Sequence, residues 1–391
     1  MTSDGDAAAR ASGFIDVQGK REFVQFGVAA LFASLLNAHM ALLSIVFEQA
    51  GHGLPAIGLL LSLFAVPVLV VTLAAGPVAA RLGALATARL AIVLMILGFG
   101  SLALTSENFW LALASRLVHG IGFGLYLPAI MTYGQSRLNQ VRFVGLVITF
   151  SSLIPFSYAL GPAMGEFMLN NYGRTVFFLA AMAPAVIGLA MTAGLRPLAR
   201  PKPLGLDFSA ALKRRFVLPL AALFIGGMMY CFSIAYLAPD LQQRGVALAI
   251  FFVPSTLATA MSRVAGSFVQ RFHPRVLVAA GLMLMAAGLA MLAAFSQIAL
   301  IVVGAVSFGL GSSVLYPVVS AWVSEGLDPA RRSGPQALVT TIFYAGLYAM
   351  PYPLSFVVAP MGFRMTEALL AAAGAALAVL VIASHLMRRS A

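Results

Sequence analysis

The sequence predicts an all-α polytopic membrane protein with twelve transmembrane helices arranged as two six-helix pseudo-repeats. Of its 391 residues, 61% are hydrophobic and 9% are charged, long apolar runs follow one another almost end to end, and residues of the first half recur in the second half. So few charged residues cannot cover the surface of a soluble globule of this length. Long unbroken apolar runs favour helices over a β-barrel, whose strands alternate between apolar and polar residues.

Each helix is predicted where an apolar run reaches about 20 residues, the length that crosses the hydrocarbon core. Glycines, prolines and charge clusters separate the runs. The predicted helices are 23–47, 55–79, 87–105, 108–133, 143–167, 175–195, 216–238, 247–269, 276–295, 298–323, 335–358 and 363–386.

The basic residues predict the orientation. An even number of helices places both termini on one side, and nineteen of the 24 lysines and arginines fall on that side, against Arg174, Arg244 and Arg364 in the opposite loops. The nineteen are Arg10, Lys20, Arg21, Arg81, Arg89, Arg137, Arg142, Arg196, Arg200, Lys202, Lys213, Arg214, Arg215, Arg271, Arg275, Arg331, Arg332, Arg388 and Arg389. Because such residues accumulate on the cytoplasmic side, we expect a multi-pass protein of the cell inner membrane with both termini cytoplasmic.

One long polar connection divides the helices six and six. Its prolines argue against a spanning helix, and its basic residues suit the anionic inner leaflet. We predict a cytoplasmic tail at 1–22, a first bundle at 23–195, a cytoplasmic linker at 196–215, a second bundle at 216–386 and a tail at 387–391. The first tail lacks an apolar core of signal-peptide length, so we expect it to stay uncleaved.

The two predicted bundles share a sequence repeat. At an offset of 189 or 190 residues, glycines, prolines and arginines recur at equivalent helix positions, which predicts two homologous halves. The positions Gly76, Arg81, Gly120, Gly122, Pro128, Leu138 and Arg142 match Gly266, Arg271, Gly309, Gly311, Pro317, Leu327 and Arg331.

Several classes of function are disfavoured. The net charge of +12 lies mostly in short loops, where it sets orientation, so we expect no nucleic-acid partner. Cys231 is the single cysteine, which excludes an intrachain disulfide and predicts core packing. No nucleophile–base constellation, nucleotide-binding loop or metal-ligand spacing is present, so we expect no enzyme activity, no cofactor and no metal.

The stretch 111–128 contains one arginine, Arg116, inside an apolar helix. An ionisable residue there costs at least about 2.5–3.5 kcal/mol, which makes it a candidate functional residue. His119 shares its helix face. At about 1.5 Å rise per residue, Asn37 and His39 of the first helix reach the same depth, roughly 12 Å below the outer surface. We expect the four to form one layer; the histidines either exchange a proton or only join helices by hydrogen bonds.

The acidic residues within the helices are few. Glu166 and Glu367 lie near outer helix ends, and depth makes Glu166 the expected ion partner of Arg116. Arg263 either faces the cavity, which favours anionic or zwitterionic substrates, or reaches the cytoplasm as a long side chain.

The loop between the second and third helices resembles a motif of the major facilitator superfamily, Gly-x3-Asp-Arg/Lys-x-Gly. Gly76 and Arg81 match it, with Ala80 in place of the aspartate. The second copy keeps Gly266 and Arg271, with Gln270 at the acidic position. The resemblance implies a gating role for these residues, weakened by the missing acids.

The resemblance covers all twelve helices, and two further motifs carry it. Arg116, Gly120 and Gly122 match the family pattern Arg-x3-Gly-x-Gly. The exporter-associated pattern Gly-Pro-x2-Gly is matched by three residues of the fifth helix, Gly161, Pro162 and Gly165. Together they resemble the twelve-helix drug–proton antiporter and efflux branch. On physical grounds Pro162 predicts a kink and the glycines predict close helix packing, which either seals one half or only packs helices.

The resemblance implies that the first, fourth, seventh and tenth helices line a central cavity, which points Asn37, His39, Arg116 and His119 inward. Hydroxyl and aromatic side chains of the seventh, tenth and eleventh helices suit a small molecule of mixed polarity. These candidates are Tyr230, Tyr236, Ser312, Tyr316, Tyr344 and Tyr348.

Two functions remain open at this point. One is proton-coupled export of a small organic molecule by alternating access, favoured by the Gly161 motif. The other is import with protons, or exchange, of a small organic anion, favoured by the buried arginines and the lack of a deep acid. We expect a monomer in the lipid bilayer, with proton coupling in the first half and most substrate contacts in the second.

Overall fold

The computed structural model describes residues 17–136, 143–197, 214–264, 272–325, 327 and 333–387. These residues are almost entirely helical, and none of them lies in a β-strand. The all-α class predicted from the sequence is therefore confirmed.

The first half contains six helical segments, two of which form one continuous element. That element, Phe143–Met191, turns at Gly173, whose φ of 81° requires a glycine. The segments are α1 (Val17–Ala38, a 3-10 turn His39–Leu42, and Leu43–Gln49), α2 (Leu54–Ser62 and Ala65–Leu82), α3 (Ala84–Gly100 and Leu102–Thr105), α4 (Phe109–Ser136), α5 (143–172) and α6 (174–191).

The second half repeats this layout. Its last element, Pro351–Met387, turns at Gly362, where φ is 76°. After a short turn at Arg214–Phe216, the segments are α7 (Val217–Ala235 and Leu237–Gln243), α8 (Ala249–Val264), α9 (Pro274–Ala294), α10 (Ile298–Ser324), α11 (Ser333–Tyr344, a π turn Ala345–Ala349, and 351–361) and α12 (363–387).

Nine helices within the described ranges are long and apolar enough to span a membrane, and Ala249–Ser262 is a shorter apolar helix. Two of the nine contain the turns at Gly173 and Gly362, so the twelve predicted segments are all represented, although twelve spanning helices remain a prediction. Their outer faces carry bare apolar side chains, such as Leu104 (91% exposed) and Trp110 (73% exposed). Such a surface suits lipid.

One helix break was not predicted. The apolar run 55–79 continues through Leu63 and Phe64, but the helix is interrupted there. Pro67, four residues after Leu63, has no N–H to bond the Leu63 carbonyl, which explains the interruption. The break frees backbone groups close to Arg116.

The sequence repeat corresponds to a repeated packing geometry. Gly122 of α4 lies against Met95 of α3, and Gly311 of α10 lies against Met285 of α9 in the same way. In both places an added Cβ would meet backbone atoms of the neighbouring helix, so only glycine permits the approach. At Gly122 and Gly311, the glycines that revealed the repeat therefore mark positions where helices touch.

The bundle has two distinguishable ends. At the end that holds Val17 and Met387, here called the terminus side, Gln25 donates a 2.6 Å hydrogen bond to the Met191 carbonyl. At the opposite end, the loop side, Arg174 pairs with Glu107.

The boundaries predicted for the tails and the linker lie largely outside the described residues and stay predictions. Cys231 is buried in α7, as expected of a core residue.

Candidate functional site

Three polar residues buried in the first half form a hydrogen-bonded chain, the buried triad: Arg116, His119 and Asn37. An Arg116 Nη1 atom lies 3.0 Å from His119 Nδ1, and His119 Nε2 lies 2.9 Å from Asn37 Oδ1. Each is at most 2% exposed. A guanidinium only donates, so Nδ1 accepts and Nε2–H donates to Asn37. The contacts therefore fix a neutral His119 with its proton on Nε2.

The remaining contacts of Arg116 come from α2. Its Nε donates to the Leu60 carbonyl at 3.3 Å, and its Cζ lies 4.3 Å from the centre of the Phe64 ring. Leu60 lies just before the helix break, which leaves its carbonyl available. The Nη2 atom is buried without a hydrogen-bond partner in the described part of the chain. Arg116 is thus held by neutral groups alone.

Glu166 is not the ion partner of Arg116. Its Oε2 instead accepts a 2.9 Å hydrogen bond from the Leu248 backbone N–H. Within the described ranges, every carboxylate oxygen lies more than 4 Å from the Arg116 nitrogens. Depth alone suggested the pairing, but depth does not fix which helix faces Glu166.

His39 also stands apart from the predicted layer. Its Nδ1 lies 2.6 Å from the Leu35 carbonyl of its own helix, and its ring meets the edge of Phe177 on α6. Residues two apart on a helix point to nearly opposite sides, so Asn37 and His39 share a depth but not a face. The predicted layer therefore holds three of its four members.

In the described structure the buried triad is enclosed by side chains of the first half, whereas the resemblance implies that these residues face a central cavity. His119 packs against Phe99, with ring centres 5.4 Å apart, and its backbone touches Gly98 of α3. Asn37 Nδ2 lies 3.9 Å from the Met95 sulfur. The triad is part of the interior of the first half, where α1, α3 and α4 meet α2.

A cavity of about 30 Å³ lies between the halves. Tyr158 of α5 is its one lining residue from the first half, and the second half supplies the others, including Tyr230, Ser233, Thr256 and Phe308. Of the predicted substrate residues only Tyr230 lines it. A volume of this size holds only a few waters, so a substrate requires the halves to separate.

Three other predicted residues bond within the second half. The Tyr236 hydroxyl donates to the Pro351 carbonyl at 2.5 Å, the Tyr316 hydroxyl lies 2.9 Å from Thr340 Oγ1, and Ser312 donates to the Gly309 carbonyl at 3.1 Å. These contacts join helices or turns within that half.

Tyr344 and Tyr348 instead pack against Phe64 and Phe123 of the first half. We call these four residues the inter-half aromatic cluster. The Tyr348 ring centre lies 5.2 Å from that of Phe64 and 5.7 Å from that of Phe123. Tyr344 lies 6.4 Å from Phe123. Phe64 therefore contacts both Arg116 and Tyr348, which connects the buried triad to the other half.

Phe64, Phe123 and Tyr158 were not predicted as site residues from the sequence. Aromatic residues in an apolar run have the same pattern whether they face lipid, the core or the other half. A signal existed for Phe64 alone, since Pro67 three residues later marks an irregular turn.

The glycine motif of α5 packs directly on α1. A Cβ at Gly161 would overlap Ala38, and one at Gly165 would lie 2.8 Å from a Leu42 methyl carbon and 2.9 Å from His39 Cδ2. The close packing predicted for the motif is present. At Pro162 the backbone stays helical; within α5 and α6 only Gly173 leaves the helical range.

The other motif residues divide into three groups. Gly120 lies against Phe64 and Pro67, close to the helix break. Gly76 and Arg81 are exposed on the terminus side, where a Cβ at Gly76 would meet nothing within 4 Å. Gly266, Arg271 and the Arg263 side chain lie outside the described residues, so their predicted roles are untested.

On the loop side, two hydrogen-bonded contacts join the halves, and we call them the loop-side latches. In the first, Ser62 Oγ donates to the Ala349 carbonyl at 3.0 Å and accepts from the Tyr352 N–H at 2.7 Å. In the second, Glu166 Oε2 of α5 accepts a hydrogen bond from the backbone N–H of Leu248, the residue directly before α8. A carboxylate is favourable there because a helix N-terminus presents free N–H groups and positive dipole.

The chain matches a known protein family over more than half of its length. The family described as Major Facilitator Superfamily matches residues 25–264. A Methylenomycin A resistance protein from Streptomyces coelicolor is 32% identical over 97 residues, which are 24% of this chain and 19% of that protein. The chain therefore matches about a fifth of that relative's length.

Solved structures are similar over nearly the whole chain. A mutant of the nucleoside transporter NupG superposes with a TM-score of 0.80 at 15% identity, covering 93% of this chain and 99% of that one. The inward-open xylose transporter XylE from E. coli gives 0.76 at 15%, covering 92% and 95%. The POT family transporter PepTSo gives 0.76 at 10%, covering 95% and 98%. At these identities the likeness concerns the fold.

Proposed function

This chain belongs to the major facilitator superfamily and is a membrane transporter, and we propose that it exports a small organic molecule in exchange for protons by alternating access. The observation that carries the export proposal is the packing of Gly161 and Gly165 of α5 on α1. The exporter-associated motif implies close contact between helices, and α5 and α1 make such a contact at these two glycines. The similarity to a resistance protein supports the same direction.

The orientation proposed from the basic residues places the terminus side in the cytoplasm. The loop-side latches then close the outer end, and the inter-half aromatic cluster closes the centre. We propose that transport breaks both, because the 30 Å³ cavity admits no organic substrate.

His119 supplies a route by which a proton changes these contacts. Its Nδ1 accepts from Arg116, so a proton bound at Nδ1 would set two donors and two positive charges against each other. The Arg116 guanidinium would then have to move away from His119. Because it lies on the Phe64 ring, and Phe64 packs on Tyr348, this movement would reach the second half. Protonation in the first half would thereby disturb contact with the second.

A second candidate is import with protons, or exchange, of a small organic anion. It is favoured by Arg116, a buried cation held only by neutral groups in the described structure. Under this alternative, the anion supplies the missing negative charge when the cavity opens.

The direction of transport separates the two candidates. A thermal-shift screen of drugs, nucleosides, sugars and organic acids first identifies a ligand. Its flux is then measured in right-side-out and inside-out proteoliposomes with an imposed pH gradient. Export predicts proton-driven accumulation in inside-out vesicles. Accumulation confined to right-side-out vesicles contradicts export, and an anionic ligand there supports the alternative.

We expect loss of either latch to favour an outer-open state. Ser62→Ala and Glu166→Ala each remove hydrogen bonds worth about 0.5–1.5 kcal/mol, which lowers the closed-to-open ratio about two- to twelvefold. Double electron–electron resonance between spin labels at positions 107 and 243 should show a larger share of long distances.

The matched control for the latches is Thr72→Ala, which removes a hydroxyl that donates to the Gly124 carbonyl inside the first half. It should leave the distance distribution unchanged. An unchanged distribution in both latch variants would show that these contacts do not hold the loop side closed.

A further inference from the structure

Three charged residues are buried together on the loop side of the second half. Arg244 Nε donates to Asp240 Oδ1 at 3.0 Å, and Nη2 lies 2.7 Å from Asp240 Oδ2 and 3.1 Å from Glu367 Oε2. Their side chains are 7%, 5% and 0% exposed, respectively. Arg244 Nη1 donates to the Leu292 carbonyl of α9 at 2.6 Å. We call these three residues the acidic triad.

The acidic triad holds two carboxyl groups for one buried cation. Arg364, one turn before Glu367 on α12, is the other charged group that acts on it, but Arg364 is exposed and donates to Ser296. From α9, the contacts are backbone carbonyls rather than charges. With both carboxyls ionised, one buried negative charge stays uncompensated by a direct partner.

The two carboxyl groups are not equivalent. Both oxygens of Asp240 contact the Arg244 guanidinium: Oδ1 accepts a hydrogen bond from Nε, and Oδ2 lies 2.7 Å from Nη2 as an ion-pair contact without hydrogen-bond geometry. Two contacts with one cation favour the ionised form of this carboxyl. Glu367 shares one oxygen with that guanidinium, and its Oε1 is buried with no hydrogen-bond partner in the described residues. An unpaired carboxylate is costly to bury, and of two carboxyls that share a site one tends to keep its proton.

We propose that the acidic triad is a proton-binding site, and that Glu367 carries the proton on Oε1. This second protonatable position lies in the half opposite to His119. It also adjoins a latch, because only the turn 245–247 separates Arg244 from Leu248. The part that this site plays in transport rests on the proposed function. Opening the Glu166 latch would move the turn 245–247, and Arg244 would move with it.

The first test is the pH dependence of stability. If the folded protein keeps a proton that the unfolded Glu367 releases, unfolding is favoured about tenfold for each unit that pH rises, so stability is lost towards alkaline pH. The wild-type melting temperature in detergent should fall between pH 6 and pH 9, and Glu367→Gln, which imitates the protonated carboxyl, should remove most of this fall.

The matched control is Glu107→Gln, which changes a glutamate that is 73% exposed and also paired with an arginine on the loop side. It should keep the wild-type dependence on pH. Equal slopes in wild type and Glu367→Gln would overturn the proposal.

The second test observes the proton directly. Infrared difference spectra between neutral and alkaline pH should contain the C=O band of a protonated carboxyl, absent in Glu367→Gln and present in Glu107→Gln. A band that survives in Glu367→Gln but disappears in Asp240→Asn would overturn the assignment to Glu367. A band removed by sodium at constant pH would identify a metal-cation site instead.

Neither measurement needs a substrate or a pH gradient. A missing Glu367 band therefore overturns the proton site and leaves the proposed function standing. Conversely, a band present in a protein whose flux ignores the pH gradient overturns proton coupling and leaves the site.

Discussion

Replacing Arg116 by methionine is expected to abolish transport while the protein still inserts and folds. Methionine fills a similar apolar volume. Removing a buried charge that has no anionic partner among the described residues relieves its desolvation cost, which offsets the loss of a donor to His119 and to Leu60. The variant loses the hydrogen bonds to His119 and Leu60 and the contact with Phe64. Flux in proteoliposomes should fall to background, with a melting temperature near that of the wild type.

Two variants control this experiment. Arg174→Met removes an arginine that pairs with the exposed Glu107, so it should transport normally. Arg116→Lys keeps the charge but loses the planar fork that reaches two acceptors, so we expect partial flux. Full flux in a folded Arg116→Met protein would assign the arginine to packing alone.

Gly161→Ala is expected to reduce both stability and flux. The added methyl group would overlap Ala38 of α1, and overpacking of this kind costs about 1–3 kcal/mol. Relief requires α1 and α5 to separate, which would move Asn37, the neighbour of Ala38, away from His119. We expect at least a tenfold loss of flux together with a lower melting temperature.

The comparison variant is Gly194→Ala, whose added Cβ would have its nearest neighbour, the Gln25 amide nitrogen, at 3.5 Å, an ordinary contact. It should behave like the wild type. Removing the methyl group of Ala38 in the double variant Ala38→Gly, Gly161→Ala should restore much of the flux, because the two changes act on one contact. No difference between Gly161→Ala and Gly194→Ala would contradict the packing argument.

Helix layout and the internal repeat could be predicted because they depend on composition and spacing. Gly122 and Gly311 are conspicuous in the sequence for the same reason that they matter in the fold, since each removes a side chain where two helices touch. Depth in the membrane was also predictable from residue counts. Residue counts placed Asn37 and Arg116 at the same depth, and the structure joins them there through His119.

Rotation about each helix axis could not be predicted in the same way. Every helix here is apolar on all sides, so no polar face shows which way it points. That is why His39 was expected beside Arg116, and Glu166 as its partner. The acidic triad was missed for another reason: Glu367 lies 123 residues after Arg244 in the chain, and only the packing of α12 on α7 and α9 brings them together.

The π turn Ala345–Ala349 of α11 changes how the two parts of this helix are rotated relative to each other. A π turn holds one residue more than an α-helical turn, so it offsets the two parts of the helix by one residue, or about 100° of rotation. Tyr348, which packs on Phe64, and the Ala349 carbonyl, which accepts from Ser62, both lie on it. A return to α-helical bonding would rotate the ring and the carbonyl in one movement. In such a movement the centre and the loop side would change together rather than one after the other.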